Sequence, residues 1–186
     1  MIGKLLTMLG GGSGGSMTAN LPDIRCFLEP RWRKLRPREE RCPIASEGMS
    51  RPTAMFLYMV LNRGGGADWA IEGGYCAIQW SETIEYEWPR LGEAMDTRTG
   101  RRFPNASKTA GQRYWHDGKR MLGQHFWLRS GKMVVDVAGD QYGWPETVHG
   151  PFSEAKYKRF DKLSGMGAVL DVRDVAMRWF KEWESR

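Results

Sequence analysis

The chain has 186 residues, 12% of them aromatic and nine of them Trp, which is enough to bury one sizeable core. No run approaches the ~18–20 consecutive apolar residues of a membrane-spanning helix, and the opening MIGKLLTML is short for a secretory signal and lacks a small-residue cleavage site, so a cytoplasmic protein is expected. The formal charge is +6 and the pI about 9.4, with the excess concentrated in residues 31–41 and 98–120; such stretches bind nucleic acid or an acidic partner, or form a solvated surface, while three cysteines without a C-x-x-C pair argue against a disulfide framework and a structural zinc site.

Residues 10–16 read GGGSGGS, the composition of a flexible linker, and Met17 then stands where an initiator would. Residues 1–9 form an amphipathic peptide with Ile2, Leu5, Leu6, Met8 and Leu9 apolar. The expectation is an engineered fusion: a peptide (1–9), a linker (10–16) and a single α+β domain (17–186). Such a linker spans roughly 15 Å and holds the peptide at about mM local concentration, which suits a tethered ligand or substrate. An expression or solubility tag is the alternative. The apolar spacing fits a helix laid in a groove, and an extended strand is also compatible.

Residues 20–44 are rich in Pro and Arg without a clean period and read as an irregular lead-in. Ser50 to Asn62 is the first clear helix, with Ser50 as cap, Pro52 in the first turn and Arg63-Gly64-Gly65-Gly66 at its end. Its expected buried stripe is Ala54, Leu57, Val60 and Leu61, with Phe56 nearby. Asp68 to Trp80 reads as one or two strands, broken or bulged at Gly73-Gly74. Thr83 to Trp88 is strand or loop, and residues 92–121 are a polar, basic insertion.

Residues 124–137 are the clearest hairpin. With Ser130-Gly131 as its two-residue turn, 129 pairs with 132, 127 with 134, and 125 with 136. His125 then lies opposite Asp136, whose carboxylate can reach the imidazole, fix its tautomer and stabilise its charged form. Phe126, Leu128, Met133, Val135 and Val137 form the opposite, core-facing side. A structural His–Asp pair is the alternative, and a one-residue slip would separate the two. Residues 139–145 read as a turn-rich loop, Tyr157 to Phe160 as a short edge strand, and Asp171 to Trp183 as a final helix capped by Asp171.

A nucleophile at a helix N-terminus would complete the chemistry, because the helix dipole and free N–H groups there lower a thiol pKa and bind an oxyanion. Three stretches carry a resemblance. Gly48-Met49-Ser50-Arg51-Pro52-Thr53-Ala54-Met55-Phe56-Leu57 resembles the G-x-C-x-x-x-A-x-x-L helix start of the transglutaminase-like branch of papain-fold cysteine hydrolases. His125-Phe126-Trp127 and Asp136 match its His and Asp elements. VVDVAGDQYG is similar to a V-D-x-T-x-D-Q-F-G string of bacterial and phage-borne members. The resemblance covers roughly residues 42–145. It implies an α+β fold in which a nucleophile helix packs on an antiparallel sheet, plus a C-terminal helix, and a cysteine peptidase or amidase using Ser50, His125 and Asp136.

The family pattern places a cysteine where this chain has Ser50. Three readings stand: an inactivating Cys-to-Ser replacement, a natural non-enzymatic relative in which Ser50 is only a cap, or nucleophilic attack by Ser50 itself or by Cys42 or Cys76. Gln141 and Gln79 are candidate oxyanion donors. Trp127, Tyr114, Trp115, Gly73 and Gly74 are candidate substrate contacts, and Asp140 could replace Asp136 under a register shift. His116 and His149 fall in loops without matching ligands, so no metal and no cofactor is expected. The expected partner is a peptide or protein, the Met1–Leu9 segment included. A non-catalytic peptide-binding module of the same fold is the alternative function, and nucleic-acid binding through the basic loops the third.

Overall fold

The computed structural model describes residues 13–35, 44–63, 68–87, 92–109, 111–160 and 166–186, with only the backbone given for 13–20. The architecture is mixed α+β. The peptide of residues 1–9, residues 10–12 of the Gly/Ser segment, Cys42 and Gly64–Gly66 lie outside the described residues, whereas residues 13–16 of that segment are helical rather than a flexible linker. No described helix is long and apolar enough to cross a membrane.

Helix α1 (Ser13–Leu35) replaces the expected irregular lead-in. Pro22 and Pro30 interrupt its local pattern, and an interior proline costs roughly 3 kcal/mol in a helix. Tertiary burial overrides that cost: Leu21, Ile24, Phe27, Leu28 and Trp32 all face the core. The Trp32 indole N–H also donates to Thr53 Oγ1 at 2.9 Å.

Helix α2 (Ser50–Asn62) has the predicted bounds, but Met49 takes the cap position and Ser50 is the first helical residue. No side chain caps it. Its buried positions are concentrated at Pro52–Leu57, whereas Val60 and Leu61 are only partly covered. The Asn62 carboxamide bonds the Trp69 backbone in both directions, which returns the chain to the sheet. Helix α3 (Arg173–Glu184) starts two residues after Asp171; Val172 occupies the cap, and Asp171 pairs with Arg51 instead.

The strands are β1 (Ala70–Ala77), β2 (Ile84–Glu87), β3 (Glu93–Asp96), β4 (Arg101–Phe103), β5 (Ala106–Ser107), β6 (Tyr114–His116), β7 (Met121–Ser130), β8 (Met133–Asp136), β9 (Val148–Pro151) and β10 (Tyr157–Arg159). Residues 92–121 are therefore strand-bearing rather than loop, His116 and His149 lie in strands, and β1 is unbroken at Gly73-Gly74. The main sheet has the order β10-β1-β7-β6-β5, with β8 also on β7 and β9 on β8. All pairings are antiparallel except β5 with β6. Strand β10 takes the edge position predicted for it. A separate three-stranded sheet runs β2-β3-β4.

Both faces of the main sheet are buried. Phe126, Leu128, Val135 and Val137 face the three helices as expected, while Met133 is exposed. Trp127, Val134, Cys76, Tyr142 and Tyr157 pack on the other face with Phe103, Ala106 and Tyr114. One side of β7 is shared: β6 pairs with Met121–Gly123 and β8 with Leu128–Ser130, so residues 124–127 lie between those two partners. The segment after β8 closes onto that stretch, where the Tyr142 hydroxyl donates to Gln124 O at 2.6 Å.

Candidate active site

The hairpin turns at Gly131-Lys132 rather than Ser130-Gly131, because Ser130 pairs with Met133 and Leu128 with Val135. Gly131 takes φ +56, the left-handed conformation that a primed turn needs. The register is thus offset by two residues from the predicted one. An offset of two preserves the face of every side chain, whereas an offset of one reverses it. His125 and Asp136 become diagonal rather than direct neighbours, and they still meet: His125 Nε2 and Asp136 Oδ2 are 2.9 Å apart, with both side chains buried.

Asp136 is saturated with partners. Its Oδ2 also accepts from the Tyr157 hydroxyl at 2.9 Å, and its Oδ1 accepts from the Ala138 N–H at 2.9 Å. Burial alone would raise this carboxyl. The His125 charge and hydrogen bond, the Lys156 ammonium and the Ala138 N–H outweigh it and hold the group at about 2. The imidazole stands among three aromatic rings, Trp127 and Tyr157 stacked at 6.2 and 6.5 Å and Tyr142 edge-on at 5.3 Å. Among the described residues, His125 Nδ1 has no hydrogen-bond partner. It follows that the Ser50 hydroxyl is not bonded to the ring in this structure.

The turn leading to Ser50 is clasped to the segment after Asp136. Gln141 Oε1 accepts from the Gly48 N–H at 3.1 Å, while its Nε2 donates to Ala138 O at 2.8 Å. Asp140 accepts from the Ser46 hydroxyl and, in a two-pronged pair at 2.9 and 2.6 Å, from Arg25 of α1. Arg25 also donates to Val137 O at 2.8 Å. Asp140 is therefore committed to α1 and does not stand in for Asp136. From the second sheet, Arg101 donates to Gln141 O and lies 3.3 Å from Glu47.

The other predicted residues separate into distinct roles. Gln141 spends both ends of its carboxamide on the clasp, and Gln79 is exposed just past β1. Trp127 and Tyr114 are core side chains with no surface to offer a ligand. Gly73 and Gly74 permit close packing: a Cβ on Gly74 would lie 2.1 Å from Lys158 O, and one on Gly73 would lie 2.7 Å from the Phe126 ring. Trp115 is part-exposed against Tyr75 and Lys158. Cys76 is fully buried, and burial pushes its thiol well up, the state of an inert cysteine. Cys26 is exposed on α1.

Sequence reasoning missed Arg25, Lys156 and Tyr157. The Asp140-Gln141 string was visible, but its partners lie 93 to 115 positions away in the chain. Tyr157 was visible only as one alternating residue of an edge strand. The chain matches no protein-family model, no curated protein and no solved structure.

Proposed function

We propose that this is a papain-like, transglutaminase-like domain of the cysteine-hydrolase type acting on peptide or amide bonds, with a serine in the nucleophile position. The observation that carries the reading is the buried His125–Asp136 pair whose second ring nitrogen is unpartnered. With Nε2–H held by Asp136, Nδ1 is the basic nitrogen. It would take the proton from the nucleophile at residue 50 as that atom attacks the carbonyl carbon. It would then return the proton to the leaving amine as the C–N bond breaks, leaving an acyl ester, or a thioester where residue 50 is cysteine, for water to hydrolyse. The Gln141 and Asp140 clasp supports the reading because it ties the start of α2 to the strand end that carries Asp136. No metal or cofactor enters this chemistry.

The test is Ser50→Cys, alkylated with iodoacetamide across pH and mapped by mass spectrometry, alongside peptide hydrolysis. The expected result is a thiol at residue 50 that reacts at least about tenfold faster at pH 6 than a free cysteine of ordinary pKa near 8.5, an advantage lost in Ser50→Cys/His125→Gln. Reactivity equal to that of a free thiol, with no cleavage, would sink the catalytic reading. The complete burial of His125 favours a second reading, a non-catalytic peptide-binding module of the same fold. That reading gains if the thiol is ordinary while a peptide such as MIGKLLTML binds in trans.

A further inference from the structure

Tyr157 opens β10 and is buried, and it touches both members of the His125–Asp136 pair. Its hydroxyl lies 2.9 Å from Asp136 Oδ2, the same oxygen that bonds His125 Nε2. Its ring is nearly parallel to the imidazole, at 10°. The hydroxyl comes from a distant part of the sheet. Strand β10 lies on β1, β1 on β7 and β7 on β8, so two strands separate Tyr157 from the carboxylate at the end of β8. Gly74, the β1 residue opposite His125, has no side chain to fill the space between. The Tyr157 ring rests on Trp127 at 4.6 Å and on Phe152 at 6.0 Å, which fixes its direction.

We infer that Tyr157 is a positioning residue for the His125–Asp136 pair: its hydroxyl fixes the carboxylate oxygen that holds the imidazole, and so aims the ring. Asp136 is ionised and can only accept. Its three contacts therefore donate, the Ala138 N–H to Oδ1, and the Tyr157 O–H and the His125 Nε2–H to Oδ2. Nε2 carries that hydrogen whether the ring is neutral or charged, so the arrangement is the same in both forms. The Ala138 bond is local, two residues along the chain, and by itself lets the carboxylate tilt about Oδ1. Tyr157 supplies the second fix, from another strand. The orientation of His125 depends on it. Among the described residues Nδ1 has no hydrogen-bond partner, so Oδ2 is the single polar anchor of the ring. The Tyr142 hydroxyl is spent on Gln124 O, and the Trp127 indole N–H bonds nothing among the described residues, so the rings around the imidazole confine it without steering it.

This inference deepens the base role proposed for His125 and rests on it for its chemical meaning, but its test needs neither nucleophile nor substrate, so the two can fail separately. Tyr157→Phe keeps the ring and removes only the hydroxyl. NMR of ¹⁵N-histidine-labelled protein reads the His125 Nε2–H proton, assigned by its loss in His125→Gln. In Tyr157→Phe that proton should exchange with water about tenfold faster relative to the β7 backbone amides, as expected for the loss of one hydrogen bond to a charged group. A role in packing alone would speed the ring proton and the amides together, so an unchanged ratio overturns the inference. A wild type whose His125 Nε2–H exchanges too fast to be seen overturns it too. An ordinary thiol in Ser50→Cys together with a raised ratio would remove the catalytic reading and leave Tyr157 its positioning role. Should Tyr157→Phe not fold, Tyr157→3-fluorotyrosine decides. Its more acidic hydroxyl draws charge from the shared Oδ2, so the His125 Nε2–H resonance should move upfield, and a resonance that stays in place overturns the inference equally.

Discussion

Asp136 is the residue on which the site turns. It accepts three hydrogen bonds in a buried place, so its charge is compensated only while every donor is present. Asp136→Asn keeps the shape but replaces one acceptor oxygen by an NH2 group, which meets a donor in either orientation, the Ala138 N–H on one side or His125 and Tyr157 on the other. The expected loss is roughly 3–5 kcal/mol by urea denaturation, the range for breaking a buried pair from one side. The same residue sets an acid limit. Its folded value of about 2 lies below the ordinary ~3.9 of an unfolded Asp. The stabilisation, on the order of 2 kcal/mol, is therefore complete above about pH 5 and disappears as pH falls through the folded value. Urea midpoints between pH 5 and pH 2 should fall more steeply in wild type than in Asp136→Asn. The pair was legible in the sequence because alternation fixes the face of each side chain, and the two-residue register offset left both on that face. Tyr157 and Lys156 were not legible, since β10 reaches the site by crossing to the far side of β1, and no local pattern encodes that pairing.

At the scale of elements, β1 carries the site by being thin. Gly74 sits between His125 on β7 and Arg159 on β10, and its bare Cα lets the Lys158 carbonyl approach. In Gly74→Ala the added methyl would meet backbone oxygen at 2.1 Å, which no side-chain rotation relieves. The strand pair β1–β10 must part, carrying Tyr157 away from Asp136. A loss above about 2 kcal/mol is expected, with faster amide exchange in residues 157–159 than elsewhere in the sheet. A stable Gly74→Ala with protected β10 amides would refute this account. Helix α2 was readable residue by residue, because its apolar run begins at a proline-tolerant first turn and ends in glycines. Helix α1 was hidden by its two prolines. Its helicity follows from burial of Leu21, Ile24, Leu28 and Trp32 against elements that come later in the chain, which a local reading cannot weigh.

For the molecule as a whole, α1 links the helical layer to the site. On one side it stacks Phe27 on Phe56 at 5.6 Å and against the edge of Trp183 at 5.1 Å, joining α2 to α3. On the other it sends Arg25 to Asp140 and Val137 O, beside the strand end that carries Asp136. Removing residues 1–35 strips five buried apolar side chains from the core. At roughly 1.5–3 kcal/mol each, the loss is on the order of 10 kcal/mol, similar to the whole stability of a typical domain. It also leaves Asp140 without its guanidinium partner. The truncated chain should show no cooperative unfolding by tryptophan fluorescence or circular dichroism. The single change Arg25→Met separates the two contributions, since it keeps the apolar contacts of α1 and removes the Asp140 ion pair together with the bond to Val137 O. It should cost about 3–5 kcal/mol, and Asp140→Asn in the same chain should recover part of that by removing the stranded charge. If Arg25→Met were neutral, or if the 36–186 fragment unfolded with the wild-type midpoint, α1 would be an accessory to the domain rather than the element that fastens its helical layer to the His125–Asp136 pair.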